Sequence, residues 1–95
     1  MAAYLIAEVD VTDPVTYEDY RKLVEVTLKQ YKGTYRVRGG SVTLLEGEPA
    51  PKRLVVVEFD SIEQARAWYD SEEYAPALKL RQASSTGRLL LVEGV

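Results

Sequence analysis

The order of the secondary-structure patterns constrains this chain more than any other feature of its sequence. Runs of alternating apolar and polar residues are interspersed with runs whose apolar residues recur every three or four positions. The order is strand, helix, strand, strand, helix, strand. Three of the strands carry apolar residues on both faces. Because two helices cover only one face of such a sheet, the other face needs a partner.

The first half of the chain contains the most clearly delimited helix. Residues 3–11 alternate as a strand, and Asp13 followed by Pro14 is typical of a helix start, with a capping carboxylate and a proline in the first turn. A stripe of apolar residues predicts a helix to about Tyr31, with Gly33 ending it in a left-handed conformation. We interpret the tyrosines of this helix as core residues.

Two adjacent glycines interrupt the next strand-like run, which extends from Thr34 to Glu46. Gly39 and Gly40 indicate a bulge, a sharp bend or a close approach to the backbone, and a short hairpin turn is the competing interpretation. After a loop, residues 53–59 give the most regular strand pattern of the chain.

The second helical region has a break in it. Ser61 has the spacing of a capping box with the glutamine three residues later, and Ser71 is suited to cap a further turn. Pro76 belongs in the first turn of a second helical piece that reaches about Ser84. Residues 88–93 form the last strand.

This βαββαβ order predicts the α+β class and a single ferredoxin-like domain over residues 1–95. Its four-stranded antiparallel sheet has both helices on one face and the first strand between the third and the last. The face toward the helices is expected to hold Leu5, Ala7, Val9, Val55, Val57, Phe59, Leu90 and Val92. The opposite face is expected to hold Tyr4, Ile6, Leu54, Val56, Leu89 and Leu91. An apolar face of this size predicts a homodimer packed sheet to sheet.

The composition narrows the possible chemistry. The formal net charge is −3, so the chain lacks the basic surface that nucleic acid or an acidic membrane requires. It has no cysteine and no histidine, which removes disulfides, thiolate nucleophiles and the commonest metal ligand. We expect no metal, no cofactor, and no nucleic-acid or membrane partner.

Because the N-terminus enters a strand without a signal-peptide pattern, a cytoplasmic location is expected.

Two arginines precede the glycine pair and are candidates for ligand binding. Arg36 and Arg38 have the same strand parity, and a guanidinium group binds a carboxylate or phosphate through two parallel hydrogen bonds. Arg38 is the candidate anchor. In the alternative interpretation, Arg38 forms a structural ion pair with a glutamate such as Glu46 or Glu58.

Three glutamates have the parity that should face the dimer interior. Glu8, Glu58 and Glu93 lie among apolar residues, where a carboxylate needs a partner or acquires a raised pKa. In the functional interpretation they line a polar pocket, and one acts as general base or ligand anchor. In the alternative, they lie at strand ends and are salt-bridged or solvated.

Aromatic residues cluster around the break in the second helical region. Trp68, Tyr69 and Tyr74 are suited to wall a pocket for an apolar or aromatic ligand, although this spacing is also typical of core residues. Arg81 lies seven residues after Tyr74 and shares its side if the helix is continuous.

Several stretches together resemble domain-of-unknown-function family 1330, of the dimeric α/β-barrel group. They are Ala3-Tyr-Leu-Ile-Ala7, Tyr35-Arg-Val-Arg-Gly-Gly40, Leu45-Glu-Gly47, Val57-Glu-Phe59, Trp68-Tyr-Asp-Ser71 with Tyr74, Arg81, and Leu91-Val-Glu-Gly94. The resemblance covers essentially the whole chain. It implies a ferredoxin-like subunit, a homodimer and a barrel-like cavity, but no established activity. Related groups of this architecture include cofactor-free monooxygenases and haem-handling enzymes, an analogy of fold alone.

Three functional hypotheses follow. In the first, the homodimer binds a small carboxylated or partly apolar molecule between sheet and helices; Arg38 anchors it, Glu8 or Glu58 polarises it, and Tyr69 or Tyr74 shapes the wall. In the second, the same pocket serves a cofactor-free enzyme of monooxygenase or isomerase type. In the third, the dimer is structural or accessory, with a filled interior.

Overall fold

The computed structural model describes residues 1–95 and contains four strands and three helices. In chain order they are β1 (Ala3–Val11), α1 (Pro14–Gln30), β2 (Thr34–Arg38), β3 (Arg53–Phe59), α2 (Ile62–Tyr69), α3 (Ala75–Ser84) and β4 (Ser85–Glu93). The predicted βαββαβ order is confirmed, with the second helical region divided into α2 and α3. None of the helices has the length and apolar character needed to cross a membrane.

The sheet is antiparallel throughout, and its strand order is β2-β3-β1-β4. The central position predicted for the first strand is therefore confirmed, and the fold is ferredoxin-like. Burial alternates along β1, with every second side chain buried from Ala3 to Val9. These side chains and those of α1 share one hydrophobic core with α2 and α3. The helices therefore cover one face of the sheet, and we call the other the open face.

The helix starts follow the predicted capping pattern. The Asp13 side chain accepts hydrogen bonds from the Thr16 backbone nitrogen at 3.2 Å and from its hydroxyl at 2.7 Å. Ser61 accepts from the Gln64 nitrogen at 3.1 Å, and Ser71 accepts from the Tyr74 nitrogen at 3.1 Å. The bonds from the Thr16 and Gln64 nitrogens each satisfy a backbone donor that the first helical turn leaves free, and the Ser71 bond closes the turn that precedes α3.

The end of α1 differs from its prediction. Lys32, with φ of 62°, has the left-handed conformation that we expected at Gly33. A Cβ atom on Gly33 would lie 3.0 Å from Leu28 Cδ2 and 3.0 Å from Phe59 Cε1. Gly33 is thus explained by close packing of the chain against the core, and its prediction as the left-handed terminator was wrong.

The face assignment predicted for β4 was also wrong. Leu91 lies opposite Leu5, and Leu90 lies opposite Ile6, so Leu89 and Leu91 face the helices. Leu90 and Val92 belong to the open face and are 42% and 46% exposed. Residues 89–92 are all apolar and therefore show no alternation, which leaves the register with β1 to decide their faces.

The same register changes the position predicted for Glu93. This residue lies opposite Ala3, whose side chain is buried beneath the helices. Glu93 therefore does not share the parity of Glu8 and Glu58, and it is exposed at the end of its strand.

A bulge in β2 separates the two arginines that we predicted on one face. Tyr35 pairs with Val57, but Val37 pairs with Val56, so Arg36 is the extra residue. Arg36 therefore lies on the open face, whereas Arg38 lies on the helix-covered face. The bulge precedes the glycine pair instead of coinciding with it, and β2 ends at Arg38 rather than continuing through the glycines.

Gly87 should be indispensable for the junction between β4 and β1. Its φ is 142°, and a Cβ atom there would overlap the Glu8 carbonyl oxygen. Gly87→Ala is therefore expected to lower the free energy of unfolding by about 2–3 kcal/mol in chemical denaturation. Gly40→Ala is the matched control, because nothing lies within 4 Å of that position. Equal denaturation midpoints for the two variants would contradict the register described above.

Candidate functional site

A cleft lies between the helix-covered face of the sheet and α1. Its volume is about 40 Å³, which is room for a few water molecules. Its lining is mainly apolar: Leu5, Ala7, Val9, Val24, Leu28, Val55, Val57, Trp68 and Leu89. Its polar lining consists of three tyrosines, Tyr17, Tyr20 and Tyr35, and four arginines, Arg21, Arg38, Arg53 and Arg81. No carboxylate is among the lining residues.

The four arginines differ in their partners. Arg21 Nη1 lies 3.2 Å from Glu18 Oε2, and Arg38 Nη1 lies 3.3 Å from Glu25 Oε1. Neither Arg53 nor Arg81 belongs to any of the protein's ion pairs. Because an apolar surrounding strengthens electrostatic interactions, two unneutralised cations give the cleft a net attraction for anions.

Arg53 is the least satisfied of these cations. Its Nε atom is buried and has no hydrogen-bond partner. Its guanidinium carbon lies 5.8 Å from the centroid of the Tyr17 ring. On another side it packs against Gly39, where φ is 73° and a Cβ atom would overlap the guanidinium group. Gly39 thus permits a close approach, as one interpretation of the glycine pair predicted, and the approaching group is the Arg53 side chain.

Sequence reasoning missed Arg53, although a signal was present. Arg53 has the same strand parity as Val55, Val57 and Phe59, which were predicted to face the helices. A charged side chain on a predicted core face is unusual and marks a candidate site. Its position at the first residue of β3 made a solvated strand end the simpler interpretation.

A chain of buried hydroxyl groups lies at the side of the cleft nearest β4. The hydroxyl oxygens of Tyr20 and Tyr74 are 3.2 Å apart, and Arg81 Nε donates to the Tyr74 hydroxyl over 3.4 Å. Removal from solvent raises the pKa of Tyr20 far above its usual range, with a smaller contribution from Tyr74. Burial also raises the pKa of Tyr74. Both tyrosines therefore remain neutral hydrogen-bond donors near pH 7.

Trp68 forms part of the cleft wall and is itself core. It is 1% exposed, its ring centroid lies 4.2 Å from that of Tyr74, and its Nε1 donates to the Thr27 hydroxyl over 3.0 Å. Tyr74 precedes α3 directly, and Arg81 Nε contacts its hydroxyl, so the two residues lie on the same side. Tyr74 stands behind the cleft wall, however, and Tyr69 lies outside it, in a groove beside Leu89 and along β4.

Glu8 and Glu58 are not brought to Arg38. Both belong to the open face, where Glu8 Oε2 lies 3.1 Å from Arg88 Nη2 and Glu58 Oε1 lies 2.8 Å from Arg36 Nε. Their salt-bridged state agrees with the alternative interpretation given to them. Arg38 is paired too, but with Glu25 rather than with Glu46 or Glu58. Of the six candidate site residues, only Arg38 and Arg81 line the cleft.

The family model for a domain of unknown function, number 1330, matches residues 2–95. The chain belongs to this family. The resemblance inferred from the sequence is therefore confirmed. A search of curated proteins finds no match.

Solved structures share the fold of this member of family 1330. A protein of unknown function from Rhodopseudomonas palustris is 18% identical, with a TM-score of 0.79 over 99% of this chain and 82% of that one. A cofactor-independent oxygenase from Streptomyces nogalater is 15% identical, with a TM-score of 0.59 over 99% and 93%. A dimeric protein of unknown function and ferredoxin-like fold from Bacteroides fragilis is 13% identical, with a TM-score of 0.59 over 98% and 95%. At these identities the likeness shows the fold alone.

A residue kept for ligand binding should cost stability in the unliganded protein. Arg53→Met keeps much of the apolar stem but removes the buried, unpaired Nε atom, so it is expected to raise the free energy of unfolding by about 1 kcal/mol. Arg66→Met is the matched control, because Arg66 is exposed and forms only a 3.6 Å pair with Asp70. The control should change stability by less than about 0.5 kcal/mol. A clear loss of stability in Arg53→Met would show that the guanidinium group is structural.

Proposed function

We propose that this protein is a small homodimer that binds a short organic carboxylate in the cleft between sheet and helices. The observation that carries the proposal is the half-buried Arg53 side chain, whose buried Nε donor is unpaired and which has no carboxylate partner. A buried donor that has no acceptor costs about 1–3 kcal/mol. A bound carboxylate would supply both the countercharge and the missing acceptor.

The dimensions and lining of the cleft favour a particular class of anion. A guanidinium group binds a planar carboxylate through two parallel hydrogen bonds. The apolar lining suits a short hydrocarbon body, and a volume of about 40 Å³ favours a ligand of few atoms. Arg38 contributes a second cation that is partly neutralised by Glu25. We therefore assign Arg53 the main anchoring role and retain Arg38 as a supporting residue.

The homodimer is supported by the open face. It presents a contiguous apolar surface formed by Tyr4, Ile6, Leu54, Val56, Leu90 and Val92. The charged residues of this face form two ion pairs, Glu8 with Arg88 and Glu58 with Arg36, so their charges are neutralised within the subunit. Such a surface is well suited to pack on a second copy of itself by two-fold symmetry. The Bacteroides fragilis neighbour is described as dimeric.

A cofactor-free oxygenase is the second candidate. It is favoured by the likeness to the Streptomyces nogalater oxygenase and by an apolar cleft. The cleft offers donors but no carboxylate, and its buried tyrosines stay protonated. Any substrate would therefore enter already ionised, because the lining supplies no general base. Because the lining supplies no general base, an isomerase that relies on proton abstraction has less support. A purely structural dimer also has less support, because it would leave the buried Nε donor of Arg53 unpaired.

Binding of a simple carboxylate tests the proposal directly. Butanoate is expected to bind the wild-type protein in isothermal titration calorimetry, and Arg53→Met should weaken binding at least tenfold, since a charge-assisted hydrogen-bond pair is lost. Arg38→Ala should weaken it less.

The matched control for this titration is Arg66→Met, which removes an arginine outside the cleft. It should bind butanoate with the wild-type affinity. Equal affinities of wild type and Arg53→Met would remove Arg53 from the site, and absence of binding to any short carboxylate would overturn the proposed function.

The dimer is tested by a substitution on the open face. Leu90→Lys places a charge opposite Ile6, and burial of an unpaired ammonium group strongly opposes sheet-to-sheet packing. Light scattering coupled to gel filtration should give a dimer mass for the wild type and a monomer mass for the variant. Leu45→Lys, at a loop position that is 89% exposed, should remain dimeric. A monomeric wild-type protein would refute the proposed assembly.

A further inference from the structure

The hydroxyl chain beside the cleft leaves one hydroxyl proton without an acceptor. Arg81 Nε–H, the Tyr74 hydroxyl and the Tyr20 hydroxyl supply three protons, but only two hydrogen bonds join these three groups. Because Arg81 donates to Tyr74, the favourable direction has Tyr74 donating to Tyr20. The Tyr20 hydroxyl proton then has no acceptor within the protein. The reverse direction leaves the Tyr74 proton free, so the surplus of one donor is independent of the assignment.

The surplus donor lies where a ligand can reach it. Tyr20 and Arg81 both line the cleft, whereas Tyr74 stands behind them. Tyr20 is only 8% exposed, so bulk water is a poor substitute for the missing acceptor. The terminal nitrogens of Arg81 form no hydrogen bond with the rest of the chain. Tyr20 of α1 and Arg81 of α3 thus bring a hydroxyl proton without an acceptor and a half-buried guanidinium group to the same cleft.

This donor group is separate from Arg53. Arg53 belongs to β3, and Arg81 lies beside β4, so the two cations lie on either side of β1 in the strand order, both on the helix-covered face. The rings of Tyr17 and Tyr20 connect them, since Arg53 lies over Tyr17 and the two ring centroids are 5.3 Å apart. The cleft therefore has two donor-rich ends with an apolar middle, and an occupant would satisfy both ends only if it carried an acceptor at each.

We propose that the ligand is a short oxo acid, whose carboxylate lies at Arg53 and whose carbonyl oxygen accepts hydrogen bonds from Tyr20 and Arg81. The inference rests on the proposed function and specifies its ligand class. A carbonyl oxygen accepts without bringing a proton of its own, which matches the surplus of donors. A hydroxyl group in its place would add another donor to a region that already has a donor without an acceptor.

The test compares acids that differ only by the carbonyl oxygen. Acetoacetate and butanoate form one pair, and levulinate and pentanoate form a second pair with longer spacing. Calorimetric titration of the wild-type homodimer should show a preference of about tenfold for the oxo acid in at least one pair, the effect of one to two hydrogen bonds. Equal affinity within both pairs would overturn the inference and leave the proposed function standing. Failure of all four acids to bind would overturn both.

Two variants test whether Tyr20 and Arg81 are the donors that produce the preference for the oxo acid. Tyr20→Phe should bring the affinity ratio within the preferred pair close to one, and Arg81→Met should reduce it. The control is Tyr31→Phe, which removes a hydroxyl that donates to Glu73 outside the cleft and should keep the wild-type ratio. A full preference in Tyr20→Phe would exclude Tyr20 as the donor and overturn the assignment. Circular dichroism would verify that each variant is folded.

Discussion

The pairing of β1 with both of its neighbours is the constraint on which the rest of this structure depends. Its alternating side chains face the helices at Leu5, Ala7 and Val9, and hydrogen bonding to β3 and β4 carries the same alternation across the sheet. One face of the sheet therefore packs against the helices, and the other is not covered by them. The cleft lies where β1 presents the small side chain of Ala7 beneath α1. The open face and the cleft are thus two consequences of one register.

The electrostatics of the cleft are set by the elements that surround it. Two of its arginines reach glutamates of α1, so their charges contribute little to an incoming anion. Arg53 and Arg81 have no such partner, and they lie among apolar side chains. A stable fold does not require such an arrangement, because the buried, unpaired Nε donor of Arg53 opposes folding. Natural proteins retain locally destabilising arrangements of this kind chiefly at functional sites.

Much of the fold could be predicted because local signals agreed with one another. Asp13 with Pro14 and Ser61 marked two helix starts through side-chain chemistry that operates over three or four residues. The strand order followed from the sequence of elements. The faces of β4 could not be predicted, because four consecutive apolar residues carry no alternation. Arg38 changed face through a bulge whose position depends on tertiary pairing.

The candidate site was harder to predict than the fold. Glu8 and Glu58 looked like a polar site because they interrupt apolar strands, but each has a cross-strand or neighbouring arginine as its partner. Arg53 was at a strand end, and its contact with Gly39, together with the positive φ there, explains why the glycine is needed. The spacing of Tyr74 and Arg81 allowed them to share one side of a continuous helix, but it did not predict that Tyr20 of α1 would join them. Long-range packing therefore created most of the site.

The most direct test of the central claim observes the Arg53 side chain itself. Nitrogen-15 NMR of arginine Nε–H groups, with Arg53→Met as the assignment control, would follow this group during titration with butanoate. The account predicts a slowly exchanging Arg53 signal that shifts as the carboxylate binds. An Arg53 signal that exchanges rapidly and does not respond to the carboxylate would contradict it.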